Sequence, residues 1–286
     1  MMLMMHKYSS IACSLFVLGG ILLMGLRGSD WSESSDFDDQ LELATWMDSY
    51  QTTIDQAKKY VKERYPSLNC IPREWISIQL GTASWYTYTL ESKQSGGCIQ
   101  TMYVIDSSGR VEENNIDIKV ERELFDQIIQ NVADLMIDVK ADPRIHFAPF
   151  IKRNEDNSIS VWMLPGQEEI EGGDSLAFYG PEFHFKFDPS GSHVVEQDVI
   201  DRDLVWGVPL NRGKEIWLNY QKEDAITTGA MYFAWRYRNH FNRVFIETKK
   251  HITAIRYYDD GTYSLSEMTK KHKGDRYICF DPNRRG

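Results

Sequence analysis

The stretch EFHFKFDPSGSHVVEQ, residues 182–197, predicts two antiparallel strands joined by a tight turn. Phenylalanine occupies every second position of its first half, which is the period of a strand with one buried face. The predicted buried face holds Phe183, Phe185 and Phe187, and the predicted solvent face holds Glu182, His184 and Lys186. Asp188 can accept hydrogen bonds from the turn backbone, and Gly191 can adopt the positive φ that closes a hairpin.

The same order of strand, Asp and Gly turn, and strand recurs at residues 103–113 and 256–267. Runs rich in β-branched and aromatic residues fill residues 74–119, and we expect them to form an antiparallel meander. From Ile145 to residue 267 nearly every run has the composition of a strand. These patterns predict a sheet-rich protein.

Two segments follow helical periodicity instead. In the first, apolar residues recur every three or four positions, which predicts a helix over residues 40–65 that Asp38 and Asp39 cap and Pro66 ends. The second helix is predicted over residues 124–139 on the same grounds. The expected fold class is therefore α+β: an N-terminal export or anchor segment, then two amphipathic helices packed on predominantly antiparallel β-sheet.

Residues 229–241, GAMYFAWRYRNHF, fit both the strand period and the helix period. We expect a strand here, with a short helix as the alternative. Trp, Tyr and Arg dominate binding hot spots because they combine a large contact area with a polar group. The candidate binding residues are Tyr232, Trp235, Arg236 and Tyr237 from this stretch, and Trp217 from the preceding predicted strand. The alternative for these residues is a core face backed by an amphipathic surface.

The amino-terminal residues 1–28 predict an export element. A short start containing Lys7 precedes an uncharged apolar run over residues 11–26, whose length lies between a signal-peptide core and a full membrane span. Acidic residues follow Arg27, an arrangement that keeps the amino terminus inside and places the remainder outside the cytoplasm. Cleavage of a signal peptide requires small residues at both the −1 and the −3 position, and the candidate sites here offer only one of the two. This favours a single-pass inner-membrane anchor through residues 8–27. A cleaved leader, giving a periplasmic or secreted protein, is the alternative.

Shifts in composition divide the chain into five parts. These are residues 1–28, a signal peptide or membrane anchor; 29–37, an acidic spacer; 38–142, an α+β region of helix, meander and helix; 143–268, a sheet-rich region; and 269–286, a basic tail. The two middle regions can form one globular domain or two. No Asn-x-Ser/Thr acceptor occurs in the sequence, which favours a bacterial envelope protein.

Four cysteines are present, and Cys13 lies in the apolar leader. Cys70 and Cys98 lie at the margins of predicted neighbouring strands, so we expect them to form a disulfide in an oxidising compartment. Cys279 is then a free thiol.

Two groups of side chains raise the question of a metal site. His184 and His193 lie near Glu182 and Glu196, but neither His-x-His nor His-Glu-x-x-His spacing is present, and we expect structural roles for them. The remaining candidates lie in the loop PGQEEIEGGD and are Glu168, Glu171 and Asp174. Flexible carboxylates of this kind either hold Ca²⁺ or form a solvated acidic loop. No cofactor motif appears in the sequence, and we predict none.

The charge balance bears on the partners. The 32 basic and 42 acidic residues give a net charge of −10, which repels phosphate backbones, so nucleic acid is not an expected partner. We expect an exported, membrane-tethered protein whose sheet-rich part binds another envelope component. The alternatives are an envelope hydrolase with a carboxylate or thiol site outside the known motifs, and a small-ligand carrier with an apolar pocket between sheet and helices.

Overall fold

The computed structural model describes residues 34–66, 75–80, 84–89, 102–114, 119–138, 141, 145–169, 175–200, 206–210 and 215–270. The helices of these ranges are α1 (Ser34–Arg64), α2 (Lys119–Asp138) and α3 (Thr228–Arg236). The strands are β1 (Trp75–Leu80), β2 (Ser84–Thr89), β3 (Met102–Ile105), β4 (Val111–Asn114), β5 (Phe147–Arg153), β6 (Ile159–Pro165), β7 (Gln167–Glu169), β8 (Ser175–Tyr179), β9 (Glu182–Phe187), β10 (Val194–Ile200), β11 (Trp206–Pro209), β12 (Glu215–Tyr220), β13 (Arg243–Thr248), β14 (His251–Tyr257) and β15 (Tyr263–Thr269). The predicted α+β class with mainly antiparallel sheet is confirmed.

The strands form four sheets. The first is the antiparallel meander β1-β2-β3-β4 predicted over residues 74–119, and the second has the order β10-β9-β6-β5. The third has the order β11-β8-β7, and the fourth has the order β12-β13-β14-β15. All strand pairs of the described residues are antiparallel except β12 with β13.

The predicted hairpin over residues 182–197 is confirmed as β9 and β10. Asp188 Oδ1 accepts hydrogen bonds from the backbone N–H groups of Ser192 and His193 at 2.9 and 3.2 Å. Gly191 has a φ of +71°, and a Cβ at this position would lie 2.8 Å from side-chain atoms of Leu124 and Ile128 on α2. The turn therefore needs glycine both for its backbone conformation and for its contact with the helix.

The helices α1 and α2 pack against opposite faces of the first two sheets, and they define two cores. The α1 core contains Met47, Tyr50 and Ile54 of α1 together with much of α3, and the α2 core contains Phe125, Ile128 and Val132. Because side chains alternate along a strand, single strands contribute to both cores. In β1, Trp75 faces the α1 core while Ile76 faces the α2 core, and in β5 Phe150 and Ile151 divide in the same way.

Three predictions need correction. The stretch 229–241 begins with helix α3 and not with a strand. Glu182, predicted on a solvent face, has only 4% of its surface exposed. Helix α1 begins at Ser34, inside the residues assigned to the acidic spacer, so Asp38 and Asp39 lie within the helix instead of capping it.

The reason for the α3 error is that the helix is buried almost all round. Residues 229–234 are all buried. A short, wholly buried helix lacks the polar stripe that distinguishes helical from strand periodicity. The chain also needs a crossover here, because β12 and β13 on either side of α3 pair in parallel and a tight turn cannot join parallel strands.

Both cores draw residues from either side of the predicted boundary at residues 142 and 143. The division into two regions stays a prediction. Within the described ranges, no helix is both long and apolar enough to cross a bilayer. The predicted anchor at residues 8–27 and the basic tail from residue 271 onward lie outside those ranges.

Candidate binding site

A cleft of about 600 Å³ opens between α1, α3 and the strands β1, β5 and β6. Its size is in the range of sites that hold small organic molecules. On the α1 side, the lining residues Gln51, Asp55, Lys58 and Lys62 recur every three or four positions. This spacing makes them one stripe along the helix, beside the stripe that packs into the core.

Helix α3 forms the facing wall of the cleft. Thr227 caps its amino end, because the Thr227 hydroxyl accepts a hydrogen bond from the Ala230 N–H at 3.1 Å. The helical turn then places Tyr232 and Arg236, four residues apart, on the same side of α3. Tyr237, the residue that ends the helix, lines the cleft beside them.

The base of the cleft is aromatic and rigidly held. The Tyr232 ring meets Phe150 of β5 edge to face, with the ring centroids 5.0 Å apart, and Phe150 in turn packs against Tyr50 of α1 at 5.3 Å. Tyr232 and Phe150 have only 8% and 1% of their surface exposed. Their side chains are thus fixed by packing before any ligand arrives.

Arg236 joins the two helical walls. Its Nη1 donates to Asp48 Oδ1 at 2.7 Å and to Thr52 Oγ1 at 3.1 Å, and its Nη2 pairs with Asp55. Asp48 is also held by Arg238, whose Nη1 donates to Asp48 Oδ2 at 2.8 Å. The acceptors on α1 lie three or four residues apart, so one helical face of α1 binds the carboxyl end of α3.

The cleft unites three of the five predicted binding residues, namely Tyr232, Arg236 and Tyr237. Trp235 lies elsewhere, edge-on to Tyr263 of β15. Trp217 is half exposed on β12 and stacks on Phe245 of β13, with centroids 4.3 Å apart. The lysines of α1 that line the cleft are not among the residues selected from the sequence, because regularly spaced lysines on an amphipathic helix ordinarily form its solvated face.

Glu182 lies beneath the amino end of α3. The Thr227 hydroxyl donates to its Oε1, and the Gly229 N–H donates to its Oε2 at 2.8 Å. Burial raises the pKa of Glu182 to about 7, although these two hydrogen bonds act in the opposite direction. Glu182 borders a void of only about 10 Å³, so it braces α3 and has no room for a substrate beside it.

The two histidines of the β9–β10 hairpin contact different residues. His184 stacks on Trp162, with the ring centroids 4.9 Å apart, and its Nδ1 lies 3.5 Å from Asp198. His193 lies 3.5 Å from Asp188 of the turn. Burial lowers the pKa of His184, outweighing the opposing effect of Asp198.

Most of the other metal and disulfide candidates lie outside the described residues. No group of three or more His, Cys, Asp or Glu side chains suited to a metal occurs within the described ranges. Glu168 belongs to β7, while Glu171, Asp174, Cys70 and Cys98 lie outside the described residues. The proposed Ca²⁺ loop and the Cys70–Cys98 disulfide therefore stay predictions.

The cleft combines an aromatic base, an arginine held by ion pairs and a row of lysines, which are side chains that can contact and orient a ligand. Hydrogen-bond donors and cations on a rigid apolar surface provide orientation and contact area together.

No family model matches this chain, and neither a curated protein nor a solved structure is detectably similar to it.

Proposed function

We propose that this protein is an exported, membrane-tethered binding module and that the cleft between α1 and α3 is its recognition site. The observation that supports the proposal is the convergence of Tyr232, Arg236 and Tyr237 on one cleft. The sequence singled these residues out by type alone, because such residues dominate binding hot spots.

Pre-organisation supports binding at this site. Association is weakened when side chains must be ordered as the complex forms, by about 0.5–1.5 kcal/mol for each flexible side chain. Here Tyr232 is already packed on Phe150, and Arg236 is already held by Asp48 and Asp55. A ligand entering the cleft meets groups whose positions are set by the protein.

The cleft's role can be tested by filling it. Gln51 is a partly buried residue of the α1 stripe that lines the cleft, and Ser49 is an exposed residue of the same helix that does not. We expect full-length protein to bind the neutral aromatic probe 1-naphthaleneacetamide in a calorimetric titration. The variant Gln51→Trp should lose most of this binding, whereas the matched control Ser49→Trp should keep it. Equal binding by all three proteins would overturn the proposed site.

The compartment belongs to the same proposal and rests on the apolar leader and the acidic residues that follow it. Fractionation of the native cell, followed by intact mass, distinguishes the possibilities. A membrane-bound species that retains residues 1–28 is expected. A soluble species without them would mean a periplasmic or secreted protein, and a full-length cytosolic species would contradict export.

A further inference from the structure

We propose that the proton on Glu182 regulates the cleft by setting how firmly the amino end of α3 is docked. The inference rests on the binding function proposed above and adds a regulatory input, which is the pH of the compartment. It follows from the contacts of Glu182 with α3, from the groups that surround its carboxyl, and from the side chains between it and the cleft.

Glu182 is attached to the first turn of α3 by two hydrogen bonds. The Thr227 hydroxyl donates to its Oε1, and the Gly229 N–H donates to its Oε2 at 2.8 Å. The same hydroxyl accepts from the Ala230 N–H, so the cap of the helix and the carboxylate form one network. A Cβ at Gly229 would lie 2.4 Å from the carboxyl carbon of Glu182, which shows how closely the two elements fit. A change in the carboxyl group therefore acts directly on the start of the helix.

Glu182 is 4% exposed, and the groups that surround its carboxyl favour the neutral form. Within the described chain, the void beside it is lined by no lysine, arginine or histidine, and the other titratable residues of that lining are Tyr179, Tyr220, Tyr232 and Tyr237. On β9 itself, His184 contacts Asp198 of β10. The other cation of that strand, Lys186, contacts Asp156. An ionised Glu182 is therefore a buried charge whose partners are hydrogen-bond donors and not a cation.

Both forms of Glu182 are populated near neutral pH. Burial raises its pKa to about 7, and the hydrogen bonds from Thr227 and Gly229 act against burial without cancelling it. Burial and then the charge of Glu182 raise the pKa of Tyr220 well above its usual value, so this phenol keeps its proton. Ionisation at neutral pH therefore places an uncompensated charge beneath α3.

Ionisation weakens the docking of α3. A buried charge is stabilised by water, but the void beside Glu182 measures about 10 Å³, which is room for one water molecule at most. Further hydration requires the amino end of α3 to move away from β9. We expect this end of the helix to be docked most firmly when Glu182 is protonated, and to open more often as the pH rises through about 7.

One layer of side chains separates Glu182 from the cleft. Pro165, Tyr232 and Tyr237 line both the void and the cleft. Arg236, near the other end of α3, is held by carboxylates of α1. Movement of the amino end therefore displaces Tyr232 while the carboxyl end stays attached, so the wall of the cleft differs between the two forms of Glu182.

Hydrogen exchange of the full-length protein tests the docking of α3 without a ligand. We expect the amides of residues 228–236 to exchange faster than those of residues 124–132 in α2, which report on global unfolding. After correction for the intrinsic effect of pH on exchange, opening of α3 should rise about 10-fold from pH 6 to pH 8, as linkage requires for a carboxyl whose pKa is about 7 when docked and 4.5 when exposed. Equal rates in the two helices, or an opening that does not change with pH, would overturn the proposal.

Two variants assign the pH dependence to Glu182. Glu182→Gln cannot ionise, so opening of its α3 should be the same at pH 6 and pH 8. Thr227→Val leaves Glu182 in place but removes a donor that lowers its pKa, so the midpoint of the pH profile should move to higher pH. Glu247→Gln is the matched control, because Glu247 is a partly buried glutamate that pairs with Lys270 outside the cleft lining, and it should keep the wild-type profile. A wild-type profile in both Glu182→Gln and Thr227→Val would contradict the role of Glu182.

The neutral probe 1-naphthaleneacetamide connects α3 with binding. Because the probe does not titrate, calorimetry at pH 6 and pH 8 reports on the protein alone. Wild-type affinity should fall by about 5-fold over this range, the lower end of typical coupling between sites, and the affinity of Glu182→Gln should stay constant. Wild-type affinity that stays constant while exchange depends on pH would overturn the regulation and leave the binding cleft intact. If the probe binds at neither pH, the proposed function itself fails, and the regulation fails with it.

Discussion

Glu182 shows how a single side chain can matter for the stability of this fold. Its carboxylate accepts the Gly229 N–H in the first turn of α3, and a Cβ at Gly229 would lie 2.4 Å from its carboxyl carbon. The carboxylate thus takes the place that a side chain at residue 229 would need. Burial at this position also makes the proton affinity of Glu182 depend on folding.

We predict that Glu182→Gln changes how stability depends on pH. The pKa of Glu182 is about 7 in the folded protein against 4.5 for an ordinary glutamate, so the folded state binds the proton more tightly. Its contribution to the free energy of unfolding is therefore greatest below pH 4.5 and falls as the pH rises to about 7. Denaturant titrations from pH 5 to pH 8 should show the variant gaining about 2–3 kcal/mol over wild type.

Glu247 serves as a control, because its pKa is shifted in the opposite direction from that of Glu182. Burial raises its pKa, but hydrogen bonds from Lys270 and Gln221 outweigh that effect and lower it overall. Glu247→Gln should therefore destabilise the protein at neutral pH, with the difference disappearing in acid. A difference between Glu182→Gln and wild type that stays constant from pH 5 to pH 8 would contradict the role assigned to Glu182.

At the scale of elements, the contact between α1 and α3 is what forms the cleft. Partly buried charges connect the two helices: Asp48 accepts from both Arg236 and Arg238, which are 188 and 190 residues away in the chain. The side chain of Asp48 is 13% exposed, so removing its charge leaves two guanidinium groups short of a partner.

We predict that Asp48→Asn lowers the free energy of unfolding by about 1–3 kcal/mol, because charged hydrogen bonds in partly buried positions are lost. Glu63→Gln is the matched control. Glu63 lies on the same helix in a 3.9 Å pair with Lys59, and both side chains are mostly exposed. It should change the free energy by less than about 0.5 kcal/mol. Equal effects of the two variants in urea titrations would show that Asp48 does not hold the helices together.

At the scale of the whole molecule, the two cores are opposite faces of shared strands. Neighbouring residues of β5, Phe150 and Ile151, belong to different cores. Because the two cores share these strands, disrupting the packing of one core also destabilises the other. This coupling crosses the predicted boundary at residues 142 and 143.

We accordingly predict a single cooperative unfolding transition for the described part of the chain. Phe125 and Phe150 are 2% and 1% exposed and belong to the α2 core and the α1 core. Phe125→Ala and Phe150→Ala should each destabilise that one transition by about 3–5 kcal/mol. Two calorimetric transitions, of which each variant shifts only one, would instead support two independent domains.

Local physics was enough to predict much of this structure from the sequence. Apolar spacing predicted α1 and α2, and alternation with Asp and Gly turns predicted the meander and the central hairpin, because these elements are stabilised by residues close in the chain. The amino acid types of Tyr232, Arg236 and Tyr237 marked them as binding candidates. Tertiary structure alone decided that 229–236 is a helix, that Glu182 is buried beneath it, and that the lysines of α1 face a cleft. Those three outcomes depend on contacts between residues far apart in the chain. Periodicity and turn chemistry are local patterns and carry no information about such contacts.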